Sequence, residues 1–264
     1  MINKDIKRLI SEAVKEIINK SLLKVNYLSQ KHNNKIHFIP KRYRILGGIL
    51  QSMNIQFGNF IEILIQNLIK ENPRYEIISK YSGKRYNNFL ISQSNEKQID
   101  EYITRCQQDL NIDLDREYHN LLTSLKRNIN KGKFIKSSHD IDLLFKDKKD
   151  NKIYYVEIKY NDDHDTGKFI DINRKFLKTY CYLLNEEIGV NTEIIPILFY
   201  FNNKIMKGNI YLPEKEVIYR GKRFFEQFLT IDYKELDNYL LKLSENQETI
   251  NMFNNMYNNI LKNN

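Results

Sequence analysis

Apolar residues recur at helical spacing from the first turn of the chain. Ile6, Leu9, Ile10, Val14, Ile17 and Ile18 mark one face and predict helix over residues 1–30. Residues 31–44 are polar and basic and read as a connection. A second helix is expected from about Arg44 to Gln51. A third is expected from about Asn59 to Glu71, with the stripe Phe60, Ile61, Leu64, Ile65 and Leu68, closed by Pro73. Residues 75–95 alternate weakly around the turn signal Ser82-Gly83 and suggest a short hairpin or loop. Residues 97–129 return to helical spacing as one or two amphipathic helices, through Ile99, Tyr102, Ile103, Cys106 and Leu110, then Tyr118, Leu121, Leu122 and Leu125.

The period then changes. Ile141–Phe145 and Ile153–Tyr160 are short β-type runs separated by the polar segment Lys146–Lys152, which predicts an antiparallel hairpin. Helix is expected over Asp171–Glu187. Ile194–Phe201 is a continuous apolar run, as in a strand covered on both faces. Another short strand is expected at Asn209–Leu212, and helix again from Tyr233 to Leu261. Helices, hairpin, helix, buried strand and helices in that order predict an α/β fold, with a small mixed central β-sheet flanked by helices.

Composition narrows the class. The chain has 264 residues, 41% hydrophobic and 28% charged, enough apolar material for a sizeable core and too little polarity for disorder. No run approaches the roughly 20 apolar residues of a membrane span. The charged N-terminus has no apolar signal-peptide core, and two cysteines do not make a disulfide framework, so a cytoplasmic protein is expected. The formal net charge of +9 favours a polyanionic partner such as nucleic acid, although a lysine-rich composition also produces such an excess without one.

The hairpin carries the chemistry. Its first strand reads His139-Asp140-Ile141-Asp142-Leu143-Leu144-Phe145, and its second Tyr154-Tyr155-Val156-Glu157-Ile158-Lys159-Tyr160. Strand side chains alternate between faces, so Glu157 and Lys159 share one face. Pairing of the strands would bring two carboxylates and an ammonium together at a sheet edge. A half-buried strand gains nothing from such a cluster unless the charges pair or bind metal. Phosphodiester hydrolysis uses this set: Mg²⁺ takes one or two carboxylates, and a lysine orients or deprotonates the attacking water. Asp140 competes with Asp142 as the first carboxylate. Glu-x-Lys is common in a lysine-rich chain, and a solvated hairpin edge would look the same. The placement of both halves on strands, and the helix and buried strand that follow, favour the catalytic reading.

That order resembles the core of the PD-(D/E)xK nucleases. Phe57-Gly58-Asn59-Phe60-Ile61-Glu62 is similar to the first core helix of that family, which implies a metal-assisting role for Glu62. The family often has proline before its first aspartate; this chain has Ile141. The resemblance implies a restriction-endonuclease-like core over about 45–230 within a single nuclease domain, 1–264, with helical extensions at 1–44 and 231–264. It implies Mg²⁺ held by Asp142, Glu157 and the Ile158 carbonyl, with Asp140 as a further candidate ligand and Lys159 on the attacking water. Cleavage would leave 5′-phosphate and 3′-hydroxyl ends.

Asn161-Asp162-Asp163-His164-Asp165-Thr166-Gly167-Lys168 resembles a loop of TdeIII-type restriction endonucleases, as does Asp171–Tyr180 after it; Tyr219–Glu226 is similar to a stretch found in several restriction enzymes. This implies cleavage of duplex DNA at GGNCC, and a palindromic target implies a homodimer. The acidic loop itself reads either as a further metal or water-positioning site or as a polar loop, with His164 its best candidate to act. Lys168, Arg174, Lys175, Lys178, Arg220 and Lys222 are candidate phosphate contacts. The basic stretches Lys41–Arg44, Lys80–Arg85, Lys126–Lys136 and Arg220–Arg223 suit phosphate contacts, with a solvated face the better reading of any one taken alone. Residues 97–129 are a candidate dimer or DNA-clasping element. A structure-specific repair or junction-resolving nuclease, and a non-catalytic DNA- or RNA-binding protein, are the alternatives.

Overall fold

The computed structural model describes residues 2–109, 111–129, 132–190, 192–208 and 210–262, without the side chains of 84–86, 137, 187 and 190. The chain forms two compact units, Met1–Leu64 with Ile231–Asn264, and Ile65–Thr230.

The first unit is helical. α1 (Lys4–Leu22) starts where the Asn3 side chain accepts a hydrogen bond from the Ile6 N–H at 2.8 Å, and α2 (Val25–Asn33) follows a break at Leu23–Lys24. The predicted helix 1–30 is therefore two helices. The two helices expected at 44–51 and 59–71 are one, α3 (Lys41–Glu71), of 31 residues, which runs on into the second unit. Its apolar positions Ile45, Ile49, Met53, Phe60, Leu64 and Leu68 stay in helical phase, so the polar stretch between them does not break it. Pro73 disfavours helical backbone at Asn72, and α3 ends at Glu71. α9 (Tyr233–Ser244) and α10 (Gln247–Lys262) complete the unit. Ile18, Val25, Ile45, Ile49, Met53, Met256 and Ile260 form its core.

The second unit holds two sheets. β1 (Tyr75–Ile77), β4 (Leu143–Asp147), β5 (Ile153–Lys159), β6 (Ile194–Tyr200) and β7 (Ile218–Arg220) form a five-stranded sheet in the order β1-β4-β5-β6-β7. The first two pairings are antiparallel and the last two parallel, so the sheet is mixed, as expected. β2 (Gly83–Ser92) and β3 (Phe134–Ile141) pair antiparallel as a separate ribbon. The hairpin suggested at 75–95 does not form: β1 pairs with β4, and β2 with β3. No strand covers 210–212, and Asn209 lies outside the described residues, as does Leu110. α4 (Gln93–Gln108) and α5 (Leu114–Arg127) fill the expected helical region. α6 (Thr166–Asn185) and the short α7 (Glu187–Val190) link β5 to β6, and α8 (Gly221–Phe228) follows β7. Buried aromatic and aliphatic side chains of α4, α5 and α6 pack with those of the sheets, among them Tyr102, Tyr118, Tyr155, Phe176 and Tyr200. Cys106 and Cys181 are free and buried. Among the described residues, no helix is long and apolar enough to cross a membrane.

Candidate active site

The site begins with a strand that changes sheets. β3 ends at Ile141, β4 starts at Leu143, and Asp142 is the bend between them. β4 pairs with β5 from Leu143 opposite Val156 onward. Continued in register, Ile141 would lie opposite Ile158. β3 has instead turned away into the ribbon, where Ile141 pairs with Gly83. Both backbone groups of Ile158 thus lose a ladder partner, and buried backbone polar groups must find others. The N–H donates to Asp142 Oδ2 at 2.8 Å, and the carbonyl accepts from Lys159 Nζ at 2.8 Å. Gln66 fixes the bend from α3, its Nε2 donating to the Asp142 carbonyl at 2.8 Å. Asp142 and Asp140 therefore do not belong to one alternating strand. Asp140 lies in the ribbon and Asp142 at its end. Ile141, the family's proline position, is fully buried in a paired strand, where a proline would have no N–H to offer a ladder.

β5 supplies the rest. Tyr155, Glu157 and Lys159 alternate onto one face, and the Glu157 side chain is 0% exposed. Lys159 Nζ sits amid three oxygens: Glu157 Oε1 at 2.7 Å, the Ile158 carbonyl at 2.8 Å and Asp142 Oδ2 at 3.4 Å. A second ammonium comes from α6, where Lys175 Nζ donates to Glu157 Oε1 at 2.7 Å and lies 3.8 Å from Asp142 Oδ1. Tyr155 donates to Glu157 Oε2 at 3.4 Å. The cluster lies on a central strand, not at the expected sheet edge, because β6 and β7 extend the sheet beyond β5.

The two acids have opposite tendencies. Burial and the charge of Glu157 push the Asp142 carboxyl up, against Lys159, Lys175 and the Ile158 N–H. Burial would also raise Glu157, but the charges and hydrogen bonds of Lys159 and Lys175 outweigh it and hold that carboxyl below its usual range. Glu157 is the fixed anion, and Asp142 the under-compensated one. Three oxygens converging on one cation-filled point, one of them on a carboxylate short of positive charge, suit a hard divalent cation. The donor set fits the Mg²⁺ implied by the sequence.

The remaining candidates divide sharply. Lys175, expected on phosphate, belongs to the carboxylate cluster. Arg174 and Lys178 bond instead to acids on α4: Arg174 Nε to Asp100 at 2.8 Å and Lys178 Nζ to Glu96 at 2.5 Å. Both residues and both acids are four apart, so they form a ladder between two helices. Arg220 is buried, with Nε 2.7 Å from Glu214 and a terminal nitrogen 3.0 Å from Asp162. Lys222 lies 3.6 Å from Glu226 on α8, exposed. Lys168 is exposed in the first turn of α6. Glu62 is on α3 within the first unit.

The acidic loop separates into individual duties. Asp162 is fully buried and accepts from the N–H groups of Met206 (2.9 Å) and Gly208 (2.8 Å). Burial alone would raise it, but those bonds and Arg220 hold its carboxyl low. Asp163 pairs with Lys207 at 3.2 Å. Asp165 caps α6, accepting from the Lys168 N–H at 2.8 Å, so the helix starts at Thr166 rather than Asp171. The half-buried His164 packs edge-on against Phe169 with ring centroids 5.5 Å apart, and burial with the charges of Lys168 and Lys159 lowers its pKa. Of the basic stretches, the side chains of Lys84 and Arg85, and Asn130 and Lys131, lie outside the described residues.

Sequence reasoning missed Gln66, Tyr155 and the placement of Lys175. The alternation of β5 could have found Tyr155. Lys175 falls on the α6 stripe of buried Ile172, Phe176 and Thr179, where a charged residue signals a partner.

The family profile described as "Type II restriction endonuclease, HinfI" matches residues 2–244. The "Type II restriction enzyme HinfI" of Haemophilus influenzae is 52% identical over 262 residues, which span 98% of this chain and 99% of that protein. No solved structure matches. These matches bear out the expected type II restriction endonuclease, and the TdeIII-type likeness of the loop is a detail they do not carry. With a profile matched over most of its length and a full-length relative sharing half its residues, the chain belongs to the HinfI family of type II restriction endonucleases.

Proposed function

We propose that this chain hydrolyses both strands of duplex DNA at a short specific sequence, with Mg²⁺ held by Asp142, Glu157 and the carbonyl oxygen of Ile158. The observation that carries the reading is the convergence of those three oxygens on Lys159 Nζ, within 3.4 Å. Asp142 is preferred to Asp140 because its carboxylate shares Lys159 with Glu157. Magnesium, when bound, polarises the phosphate and lowers the pKa of a bound water. The ammonium of Lys159 orients the attacking water in line with the leaving oxygen and offsets the charge that develops on phosphorus. Lys175 and Tyr155 hold the Glu157 carboxylate in place from the sides facing α6 and the core. Products carry 5′-phosphate and 3′-hydroxyl ends. A palindromic target calls for two copies related by a two-fold axis.

The test is a plasmid digest with Mg²⁺ followed by sequencing of the ends. Discrete bands support sequence-specific cleavage. Cutting directed by branches or mismatches would replace this reading with a structure-specific nuclease, and unchanged cutting in EDTA would refute the metal. The same end sequences decide the GGNCC target that the loop resemblance implies.

A further inference from the structure

The positive charge of the chain is concentrated. Between Glu16 and Glu62 there is no aspartate or glutamate, whereas the same stretch holds five lysines and two arginines, seven cations against a net charge of +9 for the whole chain. The fold gathers these residues within the first unit. α2 lies against α3 so closely that a side chain at Gly48 would meet Leu28 at 3.3 Å. Beside that contact runs a groove of about 1130 Å³, whose lining includes Lys20, Lys24, Lys31, Lys35 and Arg44 and no acid.

Among the described residues, most of these charges have no acid paired with them. Lys20 pairs with Glu16 at 2.5 Å. Lys24 donates to the Ser52 hydroxyl at 2.6 Å and Arg44 to the Lys35 carbonyl at 3.1 Å, both neutral acceptors. Among the described residues, none of Lys24, Lys31, Lys35 and Arg44 forms an ion pair with an acid. Two polar atoms in the groove, Arg44 Nε and His32 Nδ1, are buried without a hydrogen-bond partner. Buried polar atoms are normally satisfied, so these two mark places where a ligand or water belongs. Burial, then the charges of Arg44, Lys35 and Lys31, lower the His32 pKa, as a concentrated positive field would.

Exposed aromatic rings occur in the same unit, Tyr27 among the groove's own lining residues. Tyr27 is 63% exposed and Phe38 93% exposed, and the Arg42 guanidinium lies 5.0 Å from the ring centroid of Tyr43. A groove lined by five cations and no acid suits the phosphates of a polyanion. A second copy of this chain would present the same acid-free groove to it, so self-association through this face is opposed by like charge.

We propose that this groove is a second DNA-contacting surface, which grips the phosphate backbone without reading sequence and is chemically independent of the cleavage cluster. The inference rests on duplex DNA as the substrate.

Its test uses the full chain, a duplex oligonucleotide without a cut site, and EDTA. The exposed lysines Lys24, Lys31 and Lys35 are replaced together by glutamine. Each lost phosphate contact reduces the slope of log affinity against log salt by about 0.9, so the slope should become shallower by about 2 to 3. Binding at about 0.1 M salt should weaken by about ten- to a hundredfold. In a separate assay with Mg²⁺ and a duplex that carries the cut site, single-turnover cleavage at saturating DNA should stay at the parent rate. An unchanged slope overturns the proposal, and so does an unchanged slope with an altered mass in sedimentation equilibrium, which would make the face a protein interface. Acetylation footprinting of the unsubstituted chain gives an answer free of any folding defect: DNA should protect these three lysines, and equal labelling with and without DNA refutes the contact. Failure of the cleavage reading is separate, because it would appear as full cutting by a Glu157→Ala chain whatever the salt slope.

Discussion

Replacing Lys175 by methionine removes one of the two ammoniums that balance Asp142 and Glu157 while keeping the length of the side chain. Glu157 is completely buried and loses a 2.7 Å charge-assisted bond, and Asp142 loses a cation 3.8 Å away. Breaking a fully buried ion pair costs about 3–5 kcal/mol. Lys175 is one-third exposed, so water screens part of the loss, and Lys159 remains on the same Glu157 oxygen. A cost of about 2 kcal/mol is expected, which in a protein of this size lowers the melting temperature by about 4–8 °C. The assay is thermal unfolding in EDTA and again with Ca²⁺. A divalent cation supplies the missing positive charge, so the variant should gain more from Ca²⁺ than the parent does. If the loss carries into the transition state, kcat/KM falls about 30-fold. An unaltered melting temperature in EDTA, or equal gains from Ca²⁺ in variant and parent, would refute the role of Lys175 in charge balance.

Glu157→Gln and Lys159→Ala should each abolish cleavage while leaving DNA binding in EDTA within a few-fold of the parent, read by gel shift and plasmid digest; full cutting by either removes the assignment. His139 donates to or accepts from the Thr179 hydroxyl, and burial, then Lys175, drives its pKa down to about 4 from 6.5. The unfolded chain therefore binds the extra proton first, so His139 favours folding fully above about pH 6.5 and loses that contribution as pH falls toward 4. With partial screening, denaturant titrations should show a loss of about 1–2 kcal/mol between pH 7 and 5, and His139→Leu should flatten that dependence. Asp162→Asn should weaken the bonds to Met206, Gly208 and Arg220 and cost about 2 kcal/mol, with proteolysis after Lys204 or Lys207 rising; an unchanged cleavage pattern would show that the loop does not depend on Asp162.

Glu157 and Lys159 were legible in the sequence because a period of two on a strand is a local property. So were α6 and β6, whose apolar patterns match their burial. Asp142 was harder to separate from Asp140. His139–Phe145 reads as one strand, and only long-range pairing, with Gly83 on one side and Val156 on the other, splits it at Asp142. The continuity of α3 was hidden by the polar run around Gln51–Gly58, which looks like a loop in isolation. Arg174, Lys178 and Arg220 looked free because Asp100, Glu96 and Asp162 lie 58 to 82 residues away along the chain or act only once folded. Charge in a sequence identifies a cation but not its counter-ion.

The crossing at Asp142 has a mechanical consequence. A strand that passes from one sheet to another at a single residue is a lever with its fulcrum there. Tilting the β2–β3 ribbon rotates the peptide planes on either side of Asp142, and with them the direction in which its carboxylate aims. Gln66 on the Asp142 carbonyl and the Ile158 N–H on its carboxylate act as two clamps on that pivot. Whatever seats the ribbon also sets the aim of the acid, so a loosely held ribbon would leave all the right groups present and one of them pointing the wrong way.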